Sequence, residues 1–277
     1  MFILFDVGGT KIRVGIARDN GGIADSVIVP TPAGYDEGLI AIRDAARSLG
    51  AEKNITAVVG GIAGAFDRDH ETLVGAINIK QWEQKPVKRD LQELFKAPVV
   101  LENDAALAGL GEAVAGAGKD YDIVAYITVS TGMGGARITK KTIDAHVFGF
   151  EPGFQIIDAD GSSCGTCRHR HLGVHISGRG IETHYGRKGE EINDPVVWED
   201  VTRQLSVGLL NTIYHWSPEI LILGGSVMQR ISLDRLREAM KERVRVYPEL
   251  PVIERAALGE LGGLEGALHI ARNLDNL

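Results

Sequence analysis

FILFDVGGTKIRVGI, residues 2–16, is the stretch that decides the fold. Its first six residues are apolar almost throughout, as in a strand buried on both faces, and IRVGI after the glycines reads as its antiparallel partner. Gly8 and Gly9 let the chain reverse tightly between them. The same device returns near mid-chain in DIVAYITVSTGMGGARIT, residues 122–139, with a buried strand, a Gly-rich turn and a second strand. A repeated unit of this kind predicts two related lobes.

The segments around the two hairpins fill in an α/β pattern. Residues 36–49 carry Leu39, Ile40, Ile42, Ala45, Ala46 and Leu49 near helical spacing, and ITAVVGG from Ile55 reads as a strand. Pro86 opens a helix through Phe95, PVVLEN follows as a strand, and small residues form a helix over 104–115. Beyond the second hairpin come a long helix around 196–216, the strand EILILGG, a helix near 233–244, a short strand near Val252 and a closing helix from about Gly263. No linker or charge block divides the chain, so the repeat alone sets the boundary. Residues 1–115, completed by a helix at 263–277, form a small amino-terminal lobe, and residues 116–262 form a larger lobe with a Cys/His loop.

Composition narrows the function. A chain of 277 residues can bury one large or two modest cores, and 44% hydrophobic with 24% charged residues is ordinary for a globular protein. The net charge of −7 argues against general nucleic-acid binding, which calls for a basic face. The opening apolar run is too short for a signal core or a membrane span, and no longer run follows, so the expected location is the cytoplasm. Two cysteines spaced C-x-x-C give no disulfide framework.

Four segments carry chemistry. Asp6, Gly8, Gly9, Thr10 and Lys11 combine a carboxylate, close backbone approach and donors suited to phosphate oxygens, with Asp6 placed to hold hydrated Mg²⁺. The spacing is not that of a P-loop, and a plain tight hairpin is the alternative. Thr131, Gly132 and Gly134 repeat the device, and two such loops could clamp a polyphosphate. Asp104, after the PVVLEN strand, is either a helix cap or a carboxylate placed to take a proton from a substrate hydroxyl. Gly224 and Gly225 end EILILGG, where a flat ring could lie against backbone or the chain could simply turn.

In order along the chain, DVGGTK, GIAGAFD, LENDA, STGMGG, FEPGF with the Cys-containing loop, and PEILILGGSV resemble the ROK family of repressors, open reading frames and kinases, within the actin/hexokinase-like ATPase superfamily. The resemblance implies a two-lobed actin-like ATPase fold, a duplicated ribonuclease H-like architecture with a central interlobe cleft. It implies an ATP-dependent sugar kinase with Asp104 as general base, Asn103 and Glu151 on sugar hydroxyls, and Gly64 and Asn78 on segments lining the sugar site. Mg²⁺ would accompany ATP, with few ligands from protein. The family's repressors carry a helix-turn-helix ahead of this region, so the kinase branch is favoured. A homodimer is compatible with the family; membrane and nucleic-acid partners are not expected.

The chain departs from the family in GSSCGTCRHRHLGVHISG, residues 161–178, which holds both cysteines and three of the eight histidines. The family pattern E-x-G-H becomes Glu151-Pro152-Gly153-Phe154, and the zinc loop C-x-C-G-x-x-G-C-x-E aligns with Thr166, His171 and Gly173 at its second cysteine, third cysteine and glutamate. Cys164, Cys167, His171 and one of His169 or His175 could form a rewired structural zinc site, since zinc accepts Cys and His in tetrahedral sets. A solvated basic loop is the alternative; a redox pair has no thioredoxin-like context. Losing two polar sugar contacts should change the preferred hexose. It also leaves open a non-catalytic sugar- or nucleotide-binding protein.

Overall fold

The computed structural model describes residues 1–18, 21–51, 54–158 and 171–274. In chain order the elements are β1 (Phe2–Val7), β2 (Lys11–Ala17), β3 (Ile23–Pro30), α1 (Tyr35–Ser48), β4 (Ala57–Ile62), β5 (Ala65–Phe66), β6 (Leu73–Gly75), α2 (Val87–Phe95), β7 (Val99–Asn103) and α3 (Asp104–Ala115). They continue with β8 (Ile123–Val129), β9 (Met133–Thr139), β10 (Thr142–Ile143), α4 (Leu172–Ile176), α5 (Gly178–Tyr185), α6 (Pro195–Trp216), β11 (Ile220–Gly224), α7 (Leu233–Lys241), β12 (Val252–Arg255) and α8 (Gly262–Arg272). The chain packs as two compact units. The first comprises Met1–Lys119, Lys141–Gly149 and Leu258–Leu277; the second comprises Asp120–Lys140 and Phe150–Ala257.

The first unit is a sheet covered on both faces. Its strands run in the order β3-β2-β1-β4-β7. β1 and β2 pair antiparallel, Phe2 opposite Ala17 and Val7 opposite Ile12, while β4 and β7 run parallel to β1. Because side chains alternate along a strand, Ile3, Phe5 and Val7 join one core layer with Ile42 of α1 and Leu91 of α2. Phe2 and Leu4 face the other way, into a layer with Leu107 of α3 and Leu264 and Leu268 of α8. Each such fully buried side chain contributes roughly 1.5–3 kcal/mol. Asp6 continues the Phe2 and Leu4 face, so the strand period delivers a carboxylate to the α3 and α8 side.

Those two helices are fixed to each other by an unusual group. Glu112 of α3 is only 1% exposed. Its two carboxylate oxygens accept the Leu258 N–H at 2.8 Å and the Ala117 N–H at 3.0 Å. It thereby ties the end of α3 to the segment that leads into α8.

The second unit repeats the strand logic. β8 and β9 pair antiparallel from Ile123 opposite Thr139 to Val129 opposite Met133, and β11 runs parallel to β8 with β12 parallel to β11. The long α6 starts where the sequence places it, with Pro195 in its first turn and the Asp194 side chain accepting from Val196 N–H. Its Leu205 and Leu209 pack with Leu221 and Leu223 of β11. Sequence periodicity extends α7 to residue 244, but the helix ends at Lys241. β3, the β5 and β6 pair, and the short α4 and α5 were not foreseen. β3 alternates poorly in burial, and α5 reads GRGIETHY, with glycines in a helical turn. No helix among the described residues is long and apolar enough to cross a membrane.

Candidate functional site

In the first unit the polar residues gather at the carboxyl ends of β1, β4 and β7. β4 lies between β1 and β7, with Gly61 opposite Asp6 on one side and Glu102 on the other. A Cβ at Gly61 would stand 3.0 Å from the Asp104 Cα. The missing side chain is therefore what lets α3 start above β4 and brings Asp104 towards Asp6. The capping role that the sequence left open for Asp104 belongs to Asn103, whose side-chain oxygen accepts the Ala106 N–H at 3.1 Å. Asp104 is freed from that duty; its carboxylate accepts the adjacent Ala105 N–H at 2.9 Å.

Two carboxyls at this spot repel each other's charge. Burial pushes Asp6 up to about 7, the Asp104 charge adds to the rise, and Arg13 opposes it. Burial likewise raises Asp104 to about 6, against the pull of backbone N–H groups. Although 27% of the Asp6 side-chain surface is open, its apolar walls and its acidic neighbour dominate. The two titrate as a pair near neutrality. Arg13 is the compensating charge, with one guanidinium nitrogen 3.8 Å from Asp6 and another 2.8 Å from Glu260. Neither Arg13 nor Glu260 was singled out from sequence. A lone arginine inside the apolar run IRVGI was the available signal.

The other residues expected in this unit adjoin the pair. Gly8 N–H donates to the Lys11 carbonyl at 2.9 Å, and Thr31 Oγ1 donates to the Gly8 carbonyl at 2.8 Å, so the turn is pinned from outside. Thr10 and Lys11 are exposed, and Lys11 lies 3.9 Å from Glu260. A Cβ at Gly9 would come within 2.9 Å of the Asn78 Cβ, which places Asn78 against the turn. Asn103 Nδ2 donates to the Gly64 carbonyl at 3.0 Å, and Gly64 holds a φ of +151° that disfavours any side chain. Asp6, Gly9, Gly64, Asn78, Asn103 and Asp104 thus form one contiguous group.

The second unit holds the remaining expected residues. Ser130 N–H donates to the Gly132 carbonyl at 2.8 Å, closing a turn whose Thr131 and Gly132 are exposed, with Gly134 second in the partner strand. Gly178 N–H donates to Ser130 O at 2.7 Å, which sets the start of α5 against that turn. Gly224 ends β11, and Gly225 follows with a φ of +93°. A Cβ at Gly224 would meet the Tyr126 hydroxyl at 2.5 Å. Glu151 is exposed and opens a single turn, Pro152–Phe154, in which Phe154 is 50% exposed.

The Phe154 ring lies 4.9 Å from that of His171. Position 173 has little room, since a Cβ on Gly173 would stand 3.2 Å from the Gly153 carbonyl oxygen.

Cys164, Cys167 and His169 lie outside the described residues; His171 and His175 lie within them. His171 Nδ1 is 3.1 Å from the Gly153 carbonyl oxygen, which can only accept, so the proton sits on Nδ1 and the lone pair on Nε2. That is the usual second hydrogen bond of a metal-ligating histidine. His175 is buried, its Nε2 has no hydrogen-bond partner, and burial lowers its pKa. A buried imidazole nitrogen without a hydrogen-bond partner is unusual for a core side chain.

Comparison with known proteins follows the same lines. The sequence model of the ROK family matches residues 3–274. A glucokinase of Streptomyces coelicolor is 30% identical, with 98% of this chain and 97% of that protein covered. An N-acetyl-D-glucosamine kinase of Yersinia pseudotuberculosis is 28% identical over 98% of this chain and 99% of its own length. The crystal structure of a ROK family glucokinase from Streptomyces griseus in complex with glucose and AMPPNP superposes with a TM-score of 0.83 at 28% identity, covering 98% of this chain and 99% of that one.

Proposed function

The chain belongs to the ROK family, in its sugar kinase branch, with the actin-like ATPase fold; from that premise we propose that it transfers the γ-phosphoryl group of ATP to a hydroxyl of a hexose or N-acetylhexosamine, with Asp104 as general base. The observation that carries this reading is the Asp6 and Asp104 pair, held near neutrality beside a glycine turn built for phosphate. A base whose pKa lies close to working pH is ionised enough to accept a proton and basic enough to hold it.

Phosphoryl transfer asks the protein mainly for positioning and charge balance. The Gly8 to Lys11 turn and the Thr131, Gly132 and Gly134 turn would present backbone N–H groups to phosphate oxygens, and Gly224 and Gly225 would lie against the base. Asn103, Gly64, Asn78 and Glu151 would orient the sugar so that one hydroxyl faces Asp104. Mg²⁺, when bound, would offset phosphate charge. Asp6 suits it, because a carboxyl raised by burial and a like neighbour is short of positive charge. Zinc would be structural, held by Cys164, Cys167, His171 and either His169 or His175; the orphaned Nε2 favours His175. Phe154, where the family has histidine, supplies an apolar face for a sugar ring or an acyl group. The glucokinase and N-acetylglucosamine kinase relatives bracket that choice.

A second reading, a binding protein that does not turn over, draws on Phe154 and Gly173 in place of two polar contacts. The test is ADP release from ATP and Mg²⁺ across a panel of hexoses, N-acetylhexosamines and ketohexoses. Turnover with one sugar, lowered about 10²- to 10⁴-fold by Asp104→Asn, supports the kinase. Binding without turnover on any sugar supports the second reading.

A further inference from the structure

Three residues far apart in sequence converge in the first unit on the side of β7 away from Asn103. His70 lies between β5 and β6, Glu102 is on β7, and His146 is in the Lys141–Gly149 segment. Glu102 Oε2 stands 3.7 Å from His70 Nδ1 and 3.9 Å from His146 Nε2, and one donor atom from each residue lies within 4.8 Å of the others. Glu102 and His146 are largely buried, with side chains 11% and 12% exposed. Both separations are too long for hydrogen bonds. A tetrahedral zinc holding ligands at about 2.0–2.2 Å leaves neighbouring donors about 3.4 Å apart, so both Glu102 separations are within about half an ångström of that spacing, while the two imidazoles, within 4.8 Å, have further to close. The other carboxylate oxygen, Oε1, accepts the Asn103 N–H at 2.7 Å, which aims Oε2 at the two imidazoles. His70 is held by a left-handed backbone (φ 51°) and by stacking on Phe66 at 5.5 Å between ring centroids.

We propose that His70, Glu102 and His146 form a divalent-cation site, distinct from the Cys/His loop, that takes zinc or a similar borderline metal. Two imidazoles and one carboxylate are a zinc donor set, whereas Mg²⁺ and Ca²⁺ call for more oxygens. Hydrogen bonds to the two imidazoles set the terms of entry. His70 Nδ1 lies 3.1 Å from the Leu101 carbonyl oxygen, so it carries the ring proton. Gly149 N–H donates to His146 Nδ1 at 2.9 Å, which leaves that proton on Nε2. On metal binding each proton moves to the opposite ring nitrogen, and the Gly149 and Leu101 bonds are given up. The site is therefore weaker than one whose ligands already present lone pairs. Bound metal would join the loop before β6 and the Lys141–Gly149 segment to the strand end that carries Asn103 and Asp104.

The test measures bound zinc per chain at equilibrium in the parent and in a His70→Gln, His146→Gln variant. One equivalent fewer in the variant is expected, and equal content overturns the proposal. Cys164→Ser should leave this equivalent in place, which keeps the site separate from the loop. Because the double substitution could disturb folding, histidine-ring ¹⁵N spectra of the parent are recorded as well, assigned with single variants. Zinc should shift the His146 ring proton from Nε2 to Nδ1 and perturb His70 in step. If neither ring changes on adding zinc, the proposal fails.

Discussion

Asp104 begins α3 without capping it, and this division of labour with Asn103 shapes the chemistry at the residue scale. Asn103 spends its side-chain oxygen on the helix and one amide proton on Gly64, and under the proposed reading the other amide proton would serve a sugar hydroxyl. Under the same reading Asp104 would offer a carboxylate oxygen to the substrate proton. If it is the base, kcat/KM should fall in acid with apparent values near 6 to 7 that belong to the Asp6 and Asp104 pair. Arg13→Leu removes the charge that holds Asp6 down and should move that limb to higher pH; a profile flat from pH 5 to 8 would exclude the assignment. The same pair has a consequence for stability. Below the ordinary carboxyl value of 3.8, both groups are protonated whether the chain is folded or unfolded, so their contribution is fully present. As pH rises towards about 7, the unfolded chain has released protons that the folded chain still holds, and that contribution is lost. Asp6→Asn should therefore gain melting temperature relative to the parent at pH 8 but not at pH 4.

At the scale of elements, α3 and α8 are coupled through Glu112, whose carboxylate serves two backbone N–H groups at once. Glu112→Ala leaves both without a protein partner and should cost about 1–3 kcal/mol in urea unfolding, since water reaches them only in part. Glu112→Gln keeps a single acceptor oxygen and should fall between. An unchanged unfolding midpoint in Glu112→Ala would show that the tie is idle. Sequence could not announce this group, because an acidic residue in a small-residue helix reads as surface. The elements that were legible have strong periodicity, as in the two hairpins, or clear end signals, as with Pro86 ahead of α2. The β5 and β6 pair and α5 are too short for a period to develop, and glycines mask the helical bias of α5. His70, Glu102 and His146 were invisible for a different reason: only the tertiary fold brings them together, and no local spacing marks them.

At the scale of the whole molecule, the ordered motifs carried more than any single residue, because each Gly-rich turn alone is compatible with an ordinary hairpin. Their order pointed to the ROK family, and the fold followed. Phe154 and Gly173 stand where the family has histidine and glutamate while Asp104 is retained, so binding and turnover need separate measurement for each sugar. A ligand that binds only the folded chain adds RT ln(1 + [L]/Kd) to its stability, about 2.7 kcal/mol at a hundredfold excess over Kd, which for a chain of this size is several degrees in Tm. A substrate sugar and a non-hydrolysable ATP analogue should therefore each raise the Tm of the parent. If Asp104 is the base, Asp104→Asn should keep most of the nucleotide shift while losing ADP release. If the parent and Asp104→Asn show equal shifts and neither releases ADP with that sugar, binding is intact and catalysis absent, so the chain is a binder for that sugar. Loss of the nucleotide shift in Asp104→Asn would instead mean that the carboxylate organises the phosphate turn, and its role as base would have to be given up.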